Sequence, residues 1–173
     1  MELLSPVDSS PRRLDHVLLV LPGVFPHKGW EGAGREDRLA MLRAVSCERV
    51  SAAVSEGGLY IEMVREARAQ FPEAEIHVIC GRDAAERLVG WHAGDPSFFE
   101  DLRREFRMLV AARQGAWEPD ERVAEVVEVL DAGGCWDEVS STAVREAIAA
   151  GGDWRRLVPE VLHGAVSRVY GAD

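Results

Sequence analysis

The sequence predicts an α/β fold, a doubly wound parallel sheet formed within a single domain. Three observations carry that expectation. Short apolar runs alternate with stretches of helical periodicity, and strand-helix-strand alternation means parallel βαβ units. The loops richest in Gly, Pro and polar side chains fall directly after apolar runs, where open α/β sheets bind ligands. A chain of 173 residues is most simply one domain, long enough to bury a sizeable core. It contains no internal repeat, linker or low-complexity tract.

Taken in order, HVLLVL (16–21) reads as a buried strand. REDRLAMLRAV (35–45) spaces Leu39, Leu42 and Val45 as a helix does. RVSAAV (49–54) is a short strand, and YIEMVREARAQF (60–71) is an amphipathic helix stopped by Pro72. EIHVIC (75–80) is the clearest strand and leads into the helix DAAERLVGW (83–91). FFEDLRREF (98–106) is helical and RMLVAA (107–112) a strand. VAEVVEVL (123–130) suits either period, but it precedes a turn and is read as a strand. TAVREAIAAG (142–151) and PEVLHGAVSRVYG (159–171) are helices, the first closed by Gly151 and Gly152.

Composition removes several function classes. Net charge is −10, the wrong sign for general nucleic-acid binding, so an anionic ligand needs a local cluster of cations. No window approaches the ~18 apolar residues of a membrane span, and MELLSPVDSSPRR lacks signal-peptide order, so a cytoplasmic location is expected. Cys47, Cys80 and Cys135 are odd in number and far apart, which suits reduced thiols. The histidines are equally scattered, and no metal site of protein side chains is expected. Oligomeric state leaves no mark in the sequence.

Three strand-end loops look chemically loaded. LPGVFPHKGW (21–30) offers His27 and Lys28, although His27 also serves to orient the loop and Lys28 suits a solvated surface. In CGRDAAERLVGWH (80–92), Gly81 follows a strand and Asp83 opens a helix. Asp83 with Glu86 makes a capping box that explains both without a ligand. Trp91 suits a core or rim position as well as stacking on a ligand. In VSSTAVREAI (139–148), Ser140, Ser141 and Thr142 precede a helix, and Thr142 suits a plain N-cap. Arg145 would then sit in the first turn, where the macrodipole repels a cation. An anion bound there reverses that sign, because N–H groups, hydroxyls and the guanidinium converge on it.

VSSTAVREAI resembles the [IV]-S-S-T-x-[IV]-R signature of the nucleotidyltransferase superfamily, in particular its nicotinate-mononucleotide adenylyltransferases. FPHKGW with the helix EDRLAML is similar to their P-P-H-K loop and R-L-x-M-L helix. FPEAEIHVICGRDAAERLVGWH resembles their strand, G-x-D, helix and W segment. Together the three cover about residues 16–165 in the family's order. The resemblance implies a Rossmann-like nucleotidyltransferase fold and transfer of AMP from ATP to a mononucleotide, with Mg²⁺ present and pyrophosphate leaving. It implies Lys28 and His27 near phosphate and Gly81 and Asp83 lining the nucleotide site. Trp91 would pack on the pyridine ring, and Ser140, Ser141, Thr142 and Arg145 would hold the ATP phosphates.

Two departures accompany the resemblance. The family's G-G-[ST]-F-x-P-x-H-x-G-H segment has no counterpart, since the sequence contains no H-x-G-H; no catalytic residue is assigned. Residues 1–15, read as the remnant of a missing strand-helix unit, are too few for a strand plus a crossover helix. The resemblance makes that strand central, between 16–21 and 75–80, so two edges would stand unpaired; the expectation is that the natural start lies upstream of Met1. At GGLYIEM (57–63), Tyr60 and Met63 occupy threonine positions of the family's Y-T-x-D-T-like stretch, which leaves the acceptor nucleotide open. An alternative to the enzyme is a catalytically inactive nucleotide-binding module of the same fold.

Overall fold

The computed structural model describes residues 14–24, 32–112, 115–130 and 137–171. In chain order the elements are β1 (Val17–Pro22), α1 (Arg35–Ala44), β2 (Val50–Ser55), α2 (Tyr60–Gln70), β3 (His77–Gly81) and α3 (Arg82–Trp91). They continue with α4 (Pro96–Glu105), β4 (Arg107–Ala111), β5 (Val127–Leu130), α5 (Ser141–Ala149) and α6 (His163–Tyr170). Every described strand pairing is parallel, as the strand-helix alternation requires. The chain divides into two units, one built from 1–58 and 138–173 and the other from 59–137.

In the first unit β1 pairs with β2, Val17 opposite Val50 through Pro22 opposite Ser55. The crossover helix α1 places Glu36 and Asp37 in its first turn and Arg43 in its last, each favourable to the macrodipole. A small core gathers Trp154 and Val166 with Met41 of α1, Ile148 of α5 and Tyr170 of α6. Arg168 of α6 and Asp37 of α1 add an ion pair at 3.5 Å.

In the second unit the order is β3-β4-β5, with His77 opposite Arg107 and Met108 opposite Val127. One face of this ladder, Val78, Cys80, Met108, Val110 and Val127, packs on Val64 of α2, Leu88 of α3 and Leu102 of α4. Helix α4 starts at Asp95, whose carboxylate accepts from the Phe98 N–H, with Pro96 at its first position. Its hydrogen bond from the Ser97 hydroxyl, 2.6 Å, holds the Asp95 carboxyl below its ordinary value.

The expectation that strands 16–21, 75–80 and 107–112 are all buried is corrected: only β4 is. Val110 is fully buried, whereas Ile79 of β3 is 46% exposed and most of β1 is half-buried. The reason is pairing. β4 has a neighbour on both sides, while among the described residues β1 and β3 each have one. The segment 123–130 is also not all strand: Ala124–Val126 forms a 3₁₀ turn that runs into β5. Among the described residues no helix is long and apolar enough to cross a membrane.

Candidate functional site

His27 and Lys28 lie outside the described residues, but both ends of their loop are described. Gly23 ends the β1 segment so close to β2 that a Cβ there would stand 2.7 Å from the Ser55 carbonyl oxygen and 2.8 Å from that of Glu56. Its N–H donates to the Gly57 carbonyl at 3.2 Å. Gly32 takes the left-handed φ of +71°, and its missing Cβ leaves room for the Tyr170 ring. Ala33 beside it is buried, and its carbonyl accepts from Arg38 Nε at 2.8 Å. Gly23 and Gly32, on either side of residues 25–31, are therefore each packed closely, Gly23 on the end of β2 and Gly32 on α6.

The second unit holds Gly81, Asp83 and Trp91. Gly81 is the last residue of β3 and the N-cap of α3, and it supplies no side chain to the cap. Asp83 is exposed in the first turn. The expected capping box of Asp83 and Glu86 is corrected. The helix begins a residue earlier, and Glu86 Oε1 instead accepts from Arg82 Nε at 2.8 Å and from the Trp117 indole at 3.1 Å. Trp91 closes α3 and is 48% exposed, which rules out the core reading. Trp91 lies eight positions after Asp83, just over two turns, which sets the two side chains roughly 80° apart around the helix.

Tyr60, at the first position of α2, packs against the core cluster. Burial is the main cause that raises its hydroxyl's pKa, the Cys80 thiol adds to it and the Arg87 guanidinium opposes it. Burial pushes the Cys80 thiol up to about 11. The opening of α2 is closed from within, because Glu62 Oε2 accepts the Leu59 N–H at 2.9 Å.

The first unit holds Ser140, Ser141, Thr142 and Arg145. Here the cap is corrected too: Ser140, not Thr142, is the N-cap, its hydroxyl accepting the Ala143 N–H at 3.0 Å. Thr142 becomes the second helical residue and Arg145 the fifth. The guanidinium bends back, and Nη2 donates to Thr142 Oγ1 at 3.4 Å. The N–H groups of Ser141 and Thr142 have no intrahelical acceptor. No acidic side chain occupies this first turn, whereas α1, α2 and α3 each carry one or two there. Ser141, Thr142 and Arg145 are exposed. Two exposed hydroxyls, unspent N–H groups and a guanidinium at one helix start suit a phosphate.

Sequence reasoning missed Trp117 and the Gly32–Tyr170 contact. Gly32-Ala33-Gly34 was a visible turn signal, but a partner so distant in the chain leaves no local mark.

Comparison with known proteins sets this geometry in a family. No family model matches the chain. It is 29% identical to a probable nicotinate-nucleotide adenylyltransferase of Gemmatimonas aurantiaca, an alignment covering 87% of this chain and 74% of that protein. It is 31% identical to a protein of the same description from Gloeobacter violaceus, covering 85% of this chain and 76% of the relative. The chain belongs to the nicotinate-nucleotide adenylyltransferase family. A further relative of that description, from Aeromonas salmonicida, is 28% identical across 84% of this chain and 78% of its own length. The parallel α/β architecture is that of a nucleotidyltransferase enzyme. Among the described residues, no three His, Cys, Asp or Glu side chains group as metal ligands.

Proposed function

We propose that this chain transfers the adenylyl group of ATP to a mononucleotide such as nicotinate mononucleotide, as in the making of NAD. A phosphate oxygen of the acceptor attacks the α-phosphorus, the bond from the α-phosphorus to the bridging oxygen breaks, and pyrophosphate leaves. The observation that carries the reading is the start of α5. Ser141, Thr142 and Arg145 there present hydroxyls, N–H groups and a cation with no competing carboxylate in the turn. In this reading they hold the ATP phosphates, with Ser140 fixing the helix start and Lys28 and His27 adding charge. Gly81 admits the acceptor close to the backbone, Asp83 binds ribose hydroxyls and Trp91 packs on the pyridine ring. Magnesium arrives with ATP as its counter-ion. No protein nucleophile is required, since positioning and charge neutralisation lower the barrier.

Arg145→Ala tests this. Calorimetric titration should show ATP affinity weakened by roughly 1.5–3 kcal/mol, the range for losing a charge-assisted hydrogen bond. The melting temperature should hold, because Arg145 lies past the first turn, where the dipole has faded. Unchanged affinity with a lowered melting temperature would make Arg145 structural. The absence of H-x-G-H from the sequence favours a second reading, a module that binds nucleotide without turning it over. ATP binding without pyrophosphate release would establish it.

A further inference from the structure

A cavity of about 310 Å³ opens in the second unit, walled by Ala85 and Val89 of α3, Met108 of β4, Val127 of β5 and Trp117. It lies apart from the strand-end loops. Met108 and Val127 on its wall stand at the starting ends of β4 and β5, opposite the strand ends from which those loops leave. Its size falls within the roughly 300–1,000 Å³ typical of small-molecule pockets, far above the ~30 Å³ of one water. The walls are apolar and one of them is an indole.

The charges around it do not cancel. Glu86 is paired with Arg82 and accepts the Trp117 N–H, which also fixes the indole as a wall. Asp120 is gripped by Arg122 through two bonds of 2.8 Å, which hold its carboxyl at about 2. Glu118, the third carboxylate on the lining, is exposed and has no ion-pair partner among the described residues. Among the described lining residues and their ion-pair partners, one negative charge is left beside the indole wall.

We propose that this cavity is a binding site for a small aromatic cation, its ring between Trp117 and the valines and its ammonium group at Glu118. The site is independent of adenylyl transfer. Nuclear magnetic resonance titration of the full chain with 2-phenylethylammonium and with phenylacetate tests it. The two probes share a ring and differ in charge. The ammonium compound should move the Trp117 indole N–H and the Val89 and Val127 methyl signals to saturation. Phenylacetate should bind roughly two- to fivefold more weakly, the scale of one exposed ion pair. Glu118→Gln should erase that preference without changing the melting temperature, and Val89→Phe, which fills the cavity, should abolish both responses. Equal or tighter binding of phenylacetate, a preference that survives Glu118→Gln, or still signals at Trp117 with both probes would each overturn the proposal.

Discussion

Cys80 lies on the core face of β3 beside Tyr60, and burial lifts its thiol to about 11, whereas Cys47 is exposed in the turn before β2. Only the thiolate attacks an alkylating agent, and at pH 8 a thiol with such a pKa is ionised in about one molecule in 10³. Iodoacetamide at pH 8 should therefore label Cys47 in the folded chain and spare Cys80 until denaturant is added. Peptide mass mapping reads the result, and equal labelling rates would contradict the buried thiol. Single residues also show the limits of sequence reading. Glu86 stands three residues after Asp83 and four after Arg82, so capping box and ion pair were equally visible in the spacing. Only the helix start, one residue earlier than expected, decides between them. Ser140, Ser141 and Thr142 pose the same problem: three adjacent hydroxyls each suit an N-cap, and only the extended backbone at Ser140 marks the first as the cap.

Helix α4 shows what an element contributes. It combines a side-chain cap, a proline at its first position and a buried stripe of Phe98, Phe99 and Leu102. Leu102 is fully buried at the centre of the second unit's core. Leu102→Ala should cost about 2.7–5 kcal/mol, transfer energy plus the cavity left behind. Urea unfolding followed by circular dichroism measures it, and a loss well under 1 kcal/mol would mean the core repacks freely. The elements themselves were largely legible, because helix and strand periods differ and strand ends are punctuated by Gly and Pro. The stretch 123–130 was not. Val123 and Val126 are buried three apart, as a 3₁₀ turn requires, while Val127 and Val129 follow the strand period. Two short patterns overlap there, and neither is long enough to dominate.

At the scale of all 173 residues, the spread of the site groups and the absence of H-x-G-H bear on catalysis. The site groups read from the sequence fall in both units, and the family's histidine motif has no match in the 173 residues. Donors of that kind act on charge developing in the transition state, and losing even one typically costs about 10²–10³ in rate. The chain should bind ATP yet release pyrophosphate only slowly with nicotinate or nicotinamide mononucleotide. Adding an N-terminal strand segment bearing H-x-G-H should restore turnover. A coupled pyrophosphate assay on both forms decides it. Rapid release by the shorter chain would show that another group, His27 foremost, supplies those donors.

The second unit is one unbroken run of sequence, while the first is assembled from two runs lying on either side of it. Synthesis proceeds from the N-terminus, so β3, α3, α4 and β4 are made before α5 and α6. The second unit can close its core first, while the first unit's core waits for Ile148, Trp154 and Val166. The detour is roughly 80 residues, and loop closure grows only slowly with length, at ~0.6 kcal/mol per doubling. Waiting is thus cheap in free energy and long in time. Tyr170, which fills the space left by Gly32, is made after every residue of the second unit. Gly32 thus meets the ring that packs against it only after the whole second unit has been made.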